Sequence, residues 1–114
     1  MENIQTAFDS SHILYGGDYN HEQWSPETVD QDITLFKKAK INTVTLPVFG
    51  WSKIQPQEDV YDFEWLDEII MKLTNANIKI ILATATAMYP PWLAKKYPDV
   101  LRTDFEGRRR KYGL

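Results

Sequence analysis

Three short apolar runs alternate with amphipathic helical stripes along this chain, and that alternation restricts the fold more than any other feature. Ile13-Leu14-Tyr15-Gly16-Gly17-Asp18-Tyr19 is apolar at its start and leads into polar Asn20-His21-Glu22, which predicts a buried strand ending in an exposed loop. Ser25 before Pro26 supplies an N-cap and a first-turn proline. Val29, Ile33, Phe36 and Ala39 then recur at spacings of three and four, so a helix is predicted over roughly 26–39. Thr43 to Phe49 alternates and is rich in β-branched residues, but Pro47 cannot donate to a ladder and should end the regular strand. Asp62 can cap a second helix whose apolar stripe is Leu66, Ile69, Ile70 and Leu73, leaving Glu64, Asp67, Glu68 and Lys72 to solvent. Ile78 to Ala83 is almost continuously apolar, as expected of a parallel strand covered on both faces. Pro90 to Tyr97 is predicted as a short helix closed by Pro98.

The order βαβαβα implies right-handed crossovers and a parallel sheet. Two architectures satisfy it: a doubly wound open sheet, or consecutive units of a (β/α)₈ TIM barrel. Gly16-Gly17 is followed by Asp18-Tyr19-Asn20 and not by a Gly-x-x-Gly turn opening a helix, so the dinucleotide fingerprint is missing. Strand starts near Leu14, Thr43 and Lys79 give steps comparable to the ~30 residues of one barrel unit, which favours the barrel. Three units cannot close a barrel. Such a piece is expected to expose strand edges and lining faces, and to be unstable or associated when isolated.

Composition narrows the function classes. A net charge of −3 with a pI near 5.3 gives no general attraction to nucleic acid or to anionic membranes. The basic run Arg108-Arg109-Arg110-Lys111 lies beside Asp104 and Glu106, so a solvated turn around Glu106-Gly107 is the expected structure there. No cysteine is present, which excludes disulfides and thiolate metal sites from this chain and fits a cytoplasmic, reducing setting. The opening residues have no basic region followed by an apolar one, and no run approaches the ~18 apolar residues of a membrane span. His12 and His21 have no second histidine at metal-ligand spacing, so neither metal nor cofactor is expected.

In barrels the reacting groups sit at the C-terminal ends of strands and in the loops beyond. Here those segments are Asp18 to Trp24, Val48 to Ile54, and Thr84 to Tyr89, and they contain Asp18, Glu22, Trp24, Trp51, Thr84, Thr86 and Tyr89. Carboxylates, hydroxyls and aromatic rings together suit a sugar, whose hydroxyls need hydrogen bonds and whose C–H faces pack on rings. Each residue also has a plain structural role open to it. A tryptophan in such a loop can plug the barrel mouth, and Asp18 can fix a loop by hydrogen bonds.

At these same loops the sequence resembles glycoside hydrolase family 42. The resemblance runs from about Ile13 to Leu114 and rests on an ordered set of stretches: Tyr15-Gly-Gly-Asp-Tyr-Asn-His-Glu-Gln-Trp24, Leu46-Pro-Val-Phe-Gly-Trp51, Gln55-Pro56 leading into Tyr61-Asp-Phe-Glu-Trp-Leu-Asp67, Leu82-Ala-Thr-Ala-Thr-Ala87, Pro91-Trp92-Leu93, Tyr97-Pro98 and Asp104-Phe-Glu-Gly-Arg-Arg-Arg110. It implies that residues 1–114 form the first three βα units of the catalytic barrel of a retaining β-galactosidase, incomplete in this chain. It also implies a parent that is a homotrimer acting on β-galactosides, with its two catalytic glutamates at the ends of the fourth and seventh strands, beyond Leu114. Asp18 and Trp51, from their place in the strand-end loops, are the substrate-binding candidates. The chain departs from the family pattern at His21 and Ala85, where proline is common, and at Lys40 and Asn77, where helix ends often carry glycine. Asn77 can still take the left-handed conformation there. Two other readings stay open: a small carbohydrate-binding or structural α/β module without hydrolytic function, and an unrelated α/β enzyme using Asp18 and Glu22.

Overall fold

The computed structural model describes residues 12–111. The opening segment examined for a leader, and the last three residues of the resemblance, lie outside them. Three parallel strands, β1 (Gly16–Asp18), β2 (Thr43–Leu46) and β3 (Lys79–Leu82), form one sheet in the order β1-β2-β3. Gly16 pairs with Thr43 and Thr43 with Lys79, so the predicted parallel order is the observed one. Helices α1 (Pro26–Lys38) and α3 (Glu64–Asn75) are the two crossovers, and α2 (Trp51–Ile54) and α4 (Pro91–Lys96) are short helices in the loops after β2 and β3.

Both long helices begin and end by local rules. The Thr28 N–H donates to Ser25 Oγ (3.4 Å), and Pro26 occupies the first turn, where its missing N–H loses nothing. For α3 the Glu64 N–H donates to Asp62 Oδ1 (3.1 Å), although Phe63, not Asp62, occupies the cap position. At the C-termini Lys40 and Asn77 take positive φ, 63° and 59°, and the next N–H reaches back to close the helix: Ile41 to Phe36 O (2.9 Å) and Ile78 to Leu73 O (3.0 Å). This is the Schellman closure that glycine usually supplies. Asn77 adopts the left-handed conformation its amide side chain allows, and Lys40 does so as well.

The core lies between one face of the sheet and the two long helices. Val44 and Leu46 of β2 meet Val29 of α1 and Leu66, Ile69 and Leu73 of α3, and Leu46 and Leu73 are completely buried. Ile33, Phe36 and Ile70 pack around them, so the helical stripes read from spacing are the buried stripes. Asn42 pins the strands together: its N–H donates to Tyr15 O (3.0 Å), its Oδ1 accepts from Tyr15 N (2.7 Å), and its O accepts from Lys79 N (2.7 Å). Gly16 is required at the β1–β2 contact, because a Cβ there would lie 1.6 Å from Thr43 O.

Two expectations about burial are corrected. The first run was expected to be a buried strand, yet only Gly16–Asp18 is strand and all three residues are exposed. The third was expected to be covered on both faces, yet Ile81 is 52% and Leu82 65% exposed. The cause is the same in both cases. Each is an edge strand among the described residues, with β2 on one side only and helices against one face.

Candidate active-site cleft at the strand ends

All three strands point the same way, so the loops that leave them gather at one end of the sheet. After β1, Tyr19 is buried, its N–H donating to Thr45 O (3.0 Å) and its hydroxyl to Asp32 Oδ2 (2.7 Å). A 3₁₀ turn, His21–Gln23, follows. After β2 the Leu46–Pro47 bond is cis, Pro47 is fully buried, and its carbonyl accepts from Gly50 N (2.9 Å) to start α2. After β3 the Ala83 N–H donates to Leu46 O (2.7 Å), and the Thr84 and Thr86 hydroxyls lie 3.2 Å apart.

Two neighbouring clefts result. One encloses about 470 Å³ and takes residues from all three loops: Asn20, Glu22 and Gln23 from the first, Phe49 and Lys53 from the second, Met88 from the third. The other encloses about 330 Å³ and is mostly apolar, bounded by Trp51, Ile54, Phe63 and Leu82 with Thr84 and Thr86 at its edge. Of the predicted residues, Glu22 enters the first cleft, and Trp51, Thr84 and Thr86 enter the second. Asp18 is exposed at the end of β1 and lines neither. Trp24 turns to the helical side, into a groove of about 250 Å³ between the N-terminal ends of α1 and α3. Tyr89 is half-buried beyond Met88 and borders neither cleft.

The electrostatics are uneven. His21 is 5% exposed, stacked at a tilt between Tyr19 and Trp65 (ring centroids 5.6 and 5.3 Å), and among the described residues neither ring nitrogen makes a hydrogen bond of good geometry. Burial holds its pKa below the ordinary 6.5, against the opposing pull of the Glu22 charge and the Tyr19 backbone, with the Lys53 charge adding to the depression. The Lys53 amine sits 4.7 Å over the Trp65 ring. Burial likewise pushes the Tyr19 phenol far up, helped by its hydrogen bond to Asp32. Glu22, whose Oε1 is buried without a partner, is the one carboxylate lining either strand-end cleft among the described residues. Among the described residues neither cleft brings together two carboxylates, the pair that a retaining hydrolysis holds ~5–5.5 Å apart. What is assembled is a set of rings, amides, hydroxyls and one acid, suited to holding a polyhydroxylated ligand.

Lys53, Gln55 and Met88 were not predicted. Gln55 is buried and accepts from the Trp51 indole N–H (2.9 Å); its position beside Pro56, inside one of the stretches quoted above, was the available signal. The basic run folds as a turn at Gly107 (φ 79°), with Arg108 pairing with Asp104 and Glu106, Arg109 with Asp99 (2.8 Å) and Arg110 with Asp104 (3.6 Å). Among the described residues no helix is long and apolar enough to cross a membrane.

The family model for the beta-galactosidases of glycoside hydrolase family 42 matches residues 18–114, from the last residue of β1 onward. The chain belongs to that family. It is 57% identical over 102 residues to beta-galactosidase BgaP of Planococcus sp. (strain L4) and 48% identical over 103 residues to beta-galactosidase LacA of Lactobacillus acidophilus, covering 89% and 90% of itself. The chain spans about 15% of the length of those relatives. Among solved structures it is similar to the beta-galactosidase of Bacillus circulans sp. alkalophilus (TM-score 0.84, 56% identity, 90% of this chain and 15% of that one) and to Gan42B, a GH42 beta-galactosidase of G. stearothermophilus (TM-score 0.86, 40% identity, 95% of this chain and 16% of that one). The small α/β unit with its three-stranded parallel sheet is thus a part of the family's fold.

Proposed function

We propose that this chain is the first three βα units of the (β/α)₈ barrel of a retaining β-galactosidase, and that the whole protein removes terminal non-reducing β-D-galactose from β-D-galactosides by double displacement. The observation that carries the reading is the family match over residues 18–114, which takes in all three strand-end loops and both clefts. The cleft walls supply sugar-recognition groups, while the acid/base and nucleophile carboxylates come from segments beyond this chain. In that scheme one carboxylic acid protonates the glycosidic oxygen as the other attacks the anomeric carbon. Water then releases the sugar, with the first residue acting as base. Trp51 is positioned to offer an apolar ring to a sugar face. Asp18, exposed at the end of β1, is assigned as a hydrogen-bonding partner for substrate in the assembled barrel. A homotrimeric assembly is in keeping with the family resemblance, and the absence of cysteine fits a cytoplasmic setting.

The test is release of nitrophenol from a nitrophenyl β-D-galactoside by the purified 114-residue chain, beside the product of the full reading frame that contains it. Turnover by the longer product alone is expected. Turnover by the 114 residues themselves would show that the catalytic groups lie among them and would overturn the assignment.

A further inference from the structure

We propose that Gln55 is a positioning residue for substrate binding, its buried carboxamide setting the plane in which the Trp51 indole faces the strand-end cleft. Gln55 follows the last turn of α2, is 9% exposed, and uses every polar atom it has. Its Oε1 accepts from Trp51 Nε1 (2.9 Å), and its Nε2 donates to the Glu58 carbonyl and to the Tyr61 hydroxyl (3.2 Å). Its backbone N–H donates to Trp51 O (2.8 Å), and its backbone O accepts from Trp92 Nε1 (2.8 Å).

This network leaves the amide a single orientation. Turned over, its NH₂ would face the Trp51 indole N–H, donor against donor, and its oxygen would face the Glu58 carbonyl, acceptor against acceptor. With its N–H consumed inside the protein, Trp51 can present only an apolar ring to the cleft, which is the surface a pyranose C–H face packs against. The angle of that ring decides how well a sugar stacks. Without the Gln55 acceptor, a half-buried indole N–H would be left unsatisfied, and the ring would turn to find another partner. The same residue anchors Trp92 of α4, so the loop after β2 and the segment after β3 are held to one reference point. Glu58 strengthens that tie, pairing with Lys96 and accepting from the Tyr97 hydroxyl (2.6 Å).

The proposal rests on the galactosidase reading, and steady-state kinetics of the full-length protein on a nitrophenyl β-D-galactoside tests it. Gln55→Leu should raise KM about ten-fold with kcat changed less than about two-fold, the pattern of lost binding and not of lost chemistry. Gln55→Glu keeps an acceptor for Trp51 but sets its second oxygen against the Glu58 carbonyl, so its KM should fall between those of the wild type and Gln55→Leu. Trp51→Phe should raise KM by a similar factor, and the Gln55→Leu/Trp51→Phe double variant should be no worse than the poorer single one, because both remove the same hydrogen bond. A purely structural Gln55 would lower the yield or melting temperature and leave KM alone. Should Gln55→Leu fail to fold, the Gln55→Glu and Trp51→Phe pair decides the matter: a wild-type KM in Trp51→Phe overturns the proposal. Normal wild-type turnover with an unchanged KM in folded Gln55→Leu overturns the proposal alone, whereas no turnover by the unmodified protein overturns the galactosidase reading and the proposal with it.

Discussion

Strands β2 and β3 are each four residues long and parallel, and the more apolar of the two is the more exposed. Thr43-Val44-Thr45-Leu46 is buried except at Thr45, while Lys79-Ile80-Ile81-Leu82 is exposed except at half-buried Ile80. Sequence composition would rank them the other way. The difference is position: β2 has a strand on each side and both long helices over Val44 and Leu46, whereas β3 has β2 on one side and helical cover on one face. Burial in a sheet belongs to the neighbours a strand has, and a run such as Ile80-Ile81-Leu82 records the cover it is built for.

The sharpest way to break this comparison is to truncate both strands. Leu46→Ala removes a completely buried side chain and should cost about 2–5 kcal/mol, while Leu82→Ala should cost under about 1 kcal/mol, read as urea midpoints of the chain. Equal losses would mean that Leu82 is covered in solution. Next in size is Gly16→Ala, which drives a Cβ into Thr43 O and should cost about 3 kcal/mol, with loss of hydrogen-exchange protection at the β1–β2 pairing. Retained protection would show that β1 can slide away from β2 without penalty.

A smaller effect separates the packed side from the open one by pH. The folded-state pKa of His21 lies below its ordinary 6.5, so folding favours the neutral ring. Its contribution is complete above about pH 6.5 and is lost as the pH falls from there through the lowered folded-state value. Thermal melts should therefore weaken below that pH, and His21→Phe, which keeps a ring between Tyr19 and Trp65, should flatten the dependence. An unaltered pH profile in His21→Phe would assign it to other groups. Smallest of all, Ile81→Lys on the uncovered face should change stability by less than about 0.5 kcal/mol yet reduce self-association in sedimentation. Unchanged association would place the sticky surface elsewhere.

Much of the scaffold was legible because its signals are local. Ser25-Pro26, the Val29-Ile33-Phe36 stripe, Pro47 at the strand end and the left-handed Asn77 each act within a turn or two of chain, and each appears as predicted. The candidate site was legible only in outline. The loops after the three strands do gather at one end of the sheet, but Trp24, named with them from its place in the first loop, faces the groove between α1 and α3, and Asp18 stays outside both clefts. Side-chain direction in a loop depends on contacts with residues distant in sequence, and nothing in the spacing of Trp24 or Asp18 encodes them.

The sequence by itself determined the order of the elements along the chain and the parallel direction of the strands, because capping and periodicity alternate strand with helix and a strand–helix–strand crossover runs parallel. It also determined the family, through stretches whose order is specific although each alone is modest. Only the tertiary structure decided which apolar residues are covered, that His21 is a buried imidazole between two aromatic rings, and that Gln55 ties two tryptophans to one point. Those properties depend in part on residues far off in the chain, Trp65 against His21 and Trp92 on Gln55, and such neighbours exist only after the strands have been brought side by side.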